Sequence, residues 1–219
     1  MTLAIFDLDN TLIAGDSDHL WGEFLVEKQL VDSERFKQSN DRFYEDYCRG
    51  ELDIEAYLRF ALEPLTQFSS EQLNTLHSEF MAEKILPIWL LKAEALVDEH
   101  RQAGHTLLVI TATNRFVTEP IVNKLRIPNL LASEGEIIDG RYTGNIADTP
   151  CYAGGKVIRL NAWLEQQECD FDLAEAYFYS DSFNDLPLLK LVGKPRAVDP
   201  DPTLKQSATS ASWPILSLR

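Results

Sequence analysis

The chain has 219 residues, 45% of them hydrophobic, and a formal net charge of −15. That length suits one large domain or a core with a smaller insertion. The acidic balance argues against a nucleic-acid partner, which needs a basic face. No apolar stretch is long enough to span a bilayer, and the N-terminus lacks the basic start of a secretory signal. Cys48, Cys151 and Cys169 are scattered, with no CxxC pair. This disfavours a disulfide framework or zinc site and suits a reducing cytoplasm.

Leu3-Ala4-Ile5-Phe6 is a continuous apolar run that reads as a strand buried on both faces. It leads directly into Asp7-Leu8-Asp9-Asn10-Thr11. Ligands of parallel sheets sit at the carboxyl ends of the strands, so Asp7 and Asp9 are expected at the mouth of a site. Two adjacent carboxylates repel unless a cation joins them, and Mg2+ is the hard, oxygen-seeking choice.

After a polar connection from Leu12 to Asp18, residues from about His19 to Phe80 follow helical spacing. Leu20, Trp21, Phe24 and Leu25 share one face, and Phe36, Phe43, Tyr44 and Tyr47 share another. Asp53 starts a segment closed by Pro64, and Ser69 or Ser70 caps the next. No strand is expected here, so the segment reads as a helical insertion.

Pro87 is placed to start a helix that runs to Gly104. Thr106–Ile110 is a second buried strand ending at Thr111-Ala112-Thr113, and a helix follows to about Lys124. Asn129–Ala132 reads as a short strand, and Asp139-Gly140 is a strong hairpin signal within Glu136–Ile146. Gly154-Gly155-Lys156 opens a helix; it is no P-loop, because the upstream glycine is missing and Val157 stands where Ser or Thr is needed. Ala176–Tyr179 is a third core strand, ending at Ser180-Asp181-Ser182-Phe183-Asn184-Asp185. A helix over Leu186–Leu191 then leads to an edge strand at Arg196–Val198. Alternating strands and helices imply an α/β fold with a doubly wound parallel sheet.

In such a sheet Asp7, Thr111 and Asp181 converge on one edge, with Lys156 and Asp185 nearby. Carboxylates for a metal, plus a hydroxyl and an ammonium for phosphate oxygens, suit metal-assisted phosphoryl transfer. Taken singly, Thr111 reads as a strand-end threonine, Lys156 as a solvated lysine, and Asp185 or Asn184 as a cap. In order, each at a strand end or helix start, they read together as a site.

This series resembles the haloacid dehalogenase-like (HAD) superfamily. It comprises Asp7-x-Asp9-x-Thr11, a strand ending in Thr111, Lys156, and Asp181-Ser182-Phe183-Asn184-Asp185. The resemblance implies a Rossmann-like core, residues 1–14 plus 84–219, with a helical cap at residues 15–83. It implies that Asp7 is the nucleophile and forms an aspartyl phosphate. Asp9 would protonate the leaving oxygen and then deprotonate water. Mg2+ would be held by Asp7, the Asp9 backbone carbonyl, Asp181 and Asp185. Thr111 and Lys156 would bind the phosphoryl group, and Asn184 would assist.

The cap position and the Gly50-Glu51-Leu52-Asp53-Ile54 stretch resemble the phosphoserine phosphatase branch. There, Asp16 falls where that branch binds the substrate ammonium, with Asp18 beside it. Its carboxylate-binding arginine falls on Ala61, although Arg59, Arg49 or Arg42 could substitute. Without a bidentate partner a substrate carboxylate is poorly held. Gly15 to His19 resembles the histidinol-phosphatases of the superfamily. The expected substrate is therefore a small amine-bearing phosphate monoester, histidinol phosphate, with phosphoserine or transfer to an acceptor other than water as alternatives. The insertion after Thr11 argues against a response-regulator receiver, and Asp9 argues against a dehalogenase.

Overall fold

All four side chains of β1 (Leu3–Phe6) are buried, as a strand covered on both faces requires. The computed structural model describes residues 1–219. It places β1 at the middle of a six-stranded sheet with β2 (Thr106–Asn114) and β3 (Asn129–Ser133) on one side. On the other side lie β6 (Tyr177–Ser180), β7 (Lys194–Val198) and β8 (Ile215–Leu216). Every pairing is parallel. Alternation along β1 sends Ala4 and Phe6 into one core, with Trp21, Phe24 and Phe80. Leu3 and Ile5 enter the other, with Leu108, Phe178 and Leu188.

The chain fills one side of β1 before crossing to the other, so the strand order reverses between β1 and β6. The Asp7 N–H bonds the Tyr179 carbonyl at that point, at 2.9 Å. Crevices at such reversals are where open α/β sheets bind ligands.

Between β1 and β2 lie α1 (Ser17–Glu27), α2 (Ser33–Arg49), α3 (Ile54–Leu62) and α4 (Ser70–Phe80), with no strand among them. Their starts are capped by Asp16, Asp32, Asp53 and Ser69, the last in a capping box with Gln72. Gly50 ends α2 at φ 72°, a left-handed conformation that glycine adopts without strain. A β-carbon there would also meet the Phe183 ring at 2.6 Å.

Three expectations are corrected. The helix foreseen from Pro87 starts only at Leu91, as α5 (Leu91–Gln102). Trp89 is extended and bridges Ile13, and the Ala14 N–H bonds the Ile88 carbonyl at 2.9 Å. The two ends of the helical insertion are thus tied together with backbone groups that a helix would have consumed. The strand around Arg196–Val198 is not an edge, because β8 pairs with β7 beyond it. The helix foreseen over Leu186–Leu191 is shorter, α8 (Leu186–Leu189). It ends where the chain turns back toward β7, with the Val192 N–H on the Leu188 carbonyl.

Among the remaining elements, α6 (Arg115–Lys124), the hairpin β4 (Gly135–Ile138) and β5 (Arg141–Ile146), and α7 (Gly154–Leu164) follow the pattern, whereas α9 (Pro202–Ser210), capped by Asp201, lies beyond the last expected element. Asp139 and Gly140 take φ of 51° and 75°, as a tight hairpin turn of this kind requires. No helix is long and apolar enough to cross a membrane.

Ile5 lies fully buried in the strand that presents Asp7. Ile5→Ala is expected to lower unfolding stability by about 2–5 kcal/mol, read by urea denaturation with an unchanged m-value.

Candidate active site

Asp7 and Asp9 follow β1 directly, and Lys156 sits in the first turn of α7. Gly155 allows this placement. A β-carbon at that position would lie 2.1 Å from the Pro150 carbonyl oxygen, so any other residue would push the start of α7 away. The Lys156 Nζ donates to Asp7 Oδ1 and to Asp185 Oδ2, each at 2.8 Å, and all three residues are buried. Ser180, the last residue of β6, donates to the same Asp185 oxygen at 2.7 Å.

Asp9 is gripped at both oxygens. The Ser17 N–H, at the start of α1, donates to Oδ1 at 2.6 Å. Thr113 donates to Oδ2 at 2.8 Å and Thr111 at 3.4 Å. Both threonines project from one face of β2, which runs past Thr111 to Asn114. The pairing of β2 with β3 slips between Ile110 and Asn114, and Ser133 Oγ bonds the Ala112 carbonyl at 2.7 Å. This irregularity aims the strand end at the site, a common use of bulges.

Thr11 and Asp181 bond reciprocally. The Thr11 hydroxyl donates to Oδ1 and the Asp181 N–H donates to the Thr11 oxygen, each at 3.1 Å. Asp181 opens on an adjoining cleft with Asn10, Tyr47 and Cys48, whereas Asp7, Asp9, Asp16, Asp18 and Asp185 line the main cavity. Lys156 is the one lysine or arginine among that cavity's lining residues.

Burial, with so much negative charge in one place, shifts the carboxyls. Burial, opposed by Lys156 and reinforced by Asp185, raises Asp7 to about 7. Burial and the neighbouring Asp16 raise Asp9 to about 6. Asp181 is held well above the usual carboxylate range by burial and by Asp7 and Asp185. Burial disfavours the Lys156 charge, but Asp185 and Asp7 outweigh it and keep the ammonium protonated.

No three acidic, histidine or cysteine side chains already converge in metal-ligand geometry. The donor chemistry nevertheless fits a hard divalent cation. Asp7, Asp181 and Asp185 offer only oxygen, Asp7 and Asp185 are buried with Asp181 half-buried beside them, and the three repel one another against a single ammonium.

The expected substrate residues fall in different roles. Asp16 caps α1 through the His19 N–H at 2.8 Å and lines the cavity. Asp18 is buried. Its Oδ1 accepts from Asn114 at 3.1 Å and its Oδ2 has no partner. Burial and Asp16 raise its carboxyl well above the usual range. Asn184 lines the cavity, but both ends of its amide are occupied, by the Tyr152 hydroxyl at 3.2 Å and the Tyr47 carbonyl at 3.3 Å. It ties α2 to the core.

Phe43, Tyr44, Tyr47 and His19 line the cavity, whereas Trp21 is in the core against Phe24, Phe80 and Phe116. Ala61 is buried outside the cavity. Arg59 pairs with Glu55, Arg49 with Asp46 and Glu51, and Arg42 with Asp46, so none of the three enters it.

Sequence reasoning missed Thr113, Tyr57 and Tyr152 as lining residues. For Thr113 the signal was present, since a residue two beyond Thr111 on a strand shares its face. Tyr57 and Tyr152 reach the cavity only through folding.

A family model described as haloacid dehalogenase-like hydrolase matches residues 4–190. The chain is 48% identical over 219 residues to a histidinol-phosphatase of Neisseria meningitidis serogroup C (strain 8013), covering 99% of each. A solved Bordetella pertussis Tohama I protein of unknown function superposes with a TM-score of 0.92 at 40% identity, covering 100% of both chains. A substrate-bound phosphoserine phosphatase shares the fold, with a TM-score of 0.71 at 18% identity over 100% of this chain and 93% of the other.

The raised Asp7 carboxyl makes stability depend on pH. Its native value, about 7, exceeds the ordinary 3.8, so its stabilising contribution is full below 3.8 and is lost as pH rises through about 7. A bound divalent cation should offset that loss. Saturating Mg2+ is expected to raise Tm more at about pH 7.5 than at about pH 5; equal shifts would contradict the carboxylate repulsion inferred here.

Proposed function

The chain belongs to the haloacid dehalogenase-like hydrolase family and is a phosphatase, and from that premise we propose that it hydrolyses histidinol phosphate, a small amine-bearing phosphate monoester. The observation that carries this reading is the charge of the cavity. Asp16 and Asp18 line the cavity, where a cationic substrate would favour their charged forms, and the only ammonium, Lys156, lies at the phosphoryl end, bonded to Asp7 and Asp185. A substrate carboxylate would meet no free cation and several carboxylates. Histidinol phosphate carries an ammonium and an imidazole but no carboxylate. Phe43, Tyr44, Tyr47 and His19 offer aromatic surface for the imidazole. The Neisseria relative named histidinol-phosphatase supports the same choice.

Each residue has a role in this scheme. Lys156 engages Oδ1 of Asp7, leaving Oδ2 to attack phosphorus. As the Asp7–phosphorus bond forms, the ester oxygen leaves and takes a proton from Asp9. Asp9, now a carboxylate, takes a proton from water as the water oxygen attacks the aspartyl phosphate, releasing phosphate and restoring Asp7. An Asp9 carboxyl raised to about 6 can serve as both acid and base near neutral pH. Thr111 and Lys156 hold the phosphoryl oxygens. Mg2+, held by Asp7, Asp181, Asp185 and the Asp9 carbonyl, would supply charge neutralisation at the phosphoryl group. Residues 15–83 act as the cap over this site: His19, Asn40, Tyr44, Tyr47 and Tyr57 form one wall of the cavity, and residues of the core, 1–14 plus 84–219, form the other.

Asp7→Asn should abolish turnover while far-UV circular dichroism stays unchanged; full activity in that variant would overturn the scheme. EDTA should remove activity and Mg2+ restore it. In a phosphate-release panel, kcat/KM for histidinol phosphate should exceed that for phosphoserine by about 100-fold or more, the value of one lost charged pair. A preference for phosphoserine would mean that a cap arginine reaches the cavity when substrate binds.

A further inference from the structure

Thr111 and Thr113 share a strand face and both point at Asp9, yet their surroundings differ. The Thr111 oxygen accepts the Thr113 N–H at 3.2 Å, and its own bond to Asp9 is long, at 3.4 Å. Thr113 makes the short contact, 2.8 Å to Oδ2. The segment between them is pinned. Ser133 Oγ holds the Ala112 carbonyl, the Cys151 N–H holds Ser133, and the Asn114 side chain caps α6. Thr113 is itself buried while lining the cavity.

The other oxygen of Asp9 faces the Ser17 N–H at 2.6 Å. An amide N–H can only donate, so Oδ1 remains an acceptor throughout the cycle. The transferable proton is therefore carried on Oδ2, and the hydroxyl that fixes the direction of Oδ2 controls where that proton points. We propose that Thr113 is the positioning residue for the acid–base group Asp9, aiming Oδ2 at the leaving oxygen and then at the attacking water, while Thr111 keeps its hydroxyl for the phosphoryl group. The inference rests on the aspartyl-phosphate scheme above and adds to it a division of labour between two threonines.

Bond changes follow that scheme. In the first half-reaction the phosphorus–ester oxygen bond breaks, and the electron pair on the departing oxygen takes the Oδ2 proton. In the second, Oδ2 accepts a proton from water while the Asp7–phosphorus bond breaks. Thr113 exchanges no atoms. It lowers the cost of placing Oδ2 correctly in both halves.

The test uses Thr113→Val, which keeps the shape and removes the hydroxyl, and Thr113→Ser, which restores it. An alkyl phosphate monoester needs its leaving oxygen protonated, whereas p-nitrophenolate leaves without a proton. For Thr113→Val, phosphorylation by the alkyl ester should fall on the order of 100-fold, and the p-nitrophenolate burst rate should change by less than about threefold. Steady-state turnover after that burst should be slow, because water activation is impaired. Thr113→Ser should recover both.

An equal loss of phosphorylation rate with both esters, or undiminished alkyl-ester turnover, would overturn the proposal. A raised KM for one ester with both half-reactions intact would overturn it too, by making Thr113 a substrate contact. If Thr113→Val does not fold, the comparison is read on Thr113→Ala. Failure of both to fold while Thr113→Ser folds would assign the hydroxyl a structural role and also overturn it. Acid-quenched wild-type enzyme analysed by mass spectrometry separates the two levels. Absence of phosphorylated Asp7 would refute the reaction scheme itself, independently of Thr113.

Discussion

The site depends on one buried ammonium shared between two carboxylates. Lys156 reaches Asp7 across 149 positions of sequence and Asp185 across 29, joining three segments of chain. Ionised groups away from water cost several kcal/mol each after relaxation, and their attraction compensates only when the geometry is good. Here both contacts are 2.8 Å and Ser180 adds a further donor. The arrangement is nonetheless short of positive charge, since Asp9, Asp16, Asp18 and Asp181 stand nearby. Burial, reinforced by this excess of negative charge, raises the carboxyls of Asp7 and Asp181, and the excess favours bound cations.

The helical insertion contributes residues to the cavity wall and to the surroundings of Asp9. The first turn of α1 brings the Ser17 N–H to Asp9, Asp16 and Asp18 to the cavity, and His19 to the wall. Two contacts hold α2 against the loop after β6. One is the Gly50 backbone on the Phe183 ring, and the other is the Asn184 amide between Tyr47 and Tyr152. The backbone pairing of Ile13–Ala14 with Ile88–Trp89 closes the base of the insertion. The helical insertion is thus linked to Asp9 through α1 and to the Asp185 loop through α2.

Much of this was legible beforehand, for local reasons. Strands that are buried on both faces announce themselves as apolar runs, and functional groups at their ends follow from the crevice rule for parallel sheets. That is why the positions of Asp7, Thr111 and Asp181 at strand ends are legible in the sequence. The start of α5 was misplaced because Pro87 is a good helix initiator locally, whereas the pairing of Trp89 with Ile13 is a long-range contact with no local signature. The place of β7 inside the sheet depended on a two-residue strand, Ile215–Leu216, too short to stand out in composition.

The sequence by itself determined the order of strands and helices as far as β7, the helical insertion, and the set of acidic and basic residues at the strand ends. These are properties of periodicity and of residue type at turns. Tertiary structure alone decided how those residues share the work. It assigned Asn184 to clasping α2, left Asp18 with an open oxygen, and kept the arginines of the insertion out of the cavity. It also separated Thr113 from Thr111 by a bulge and an amide bond that no pattern of residues predicts. The physical reason is that side-chain direction and charge balance depend on distances between segments far apart in the chain, and these become defined only when the sheet and the insertion close on one another.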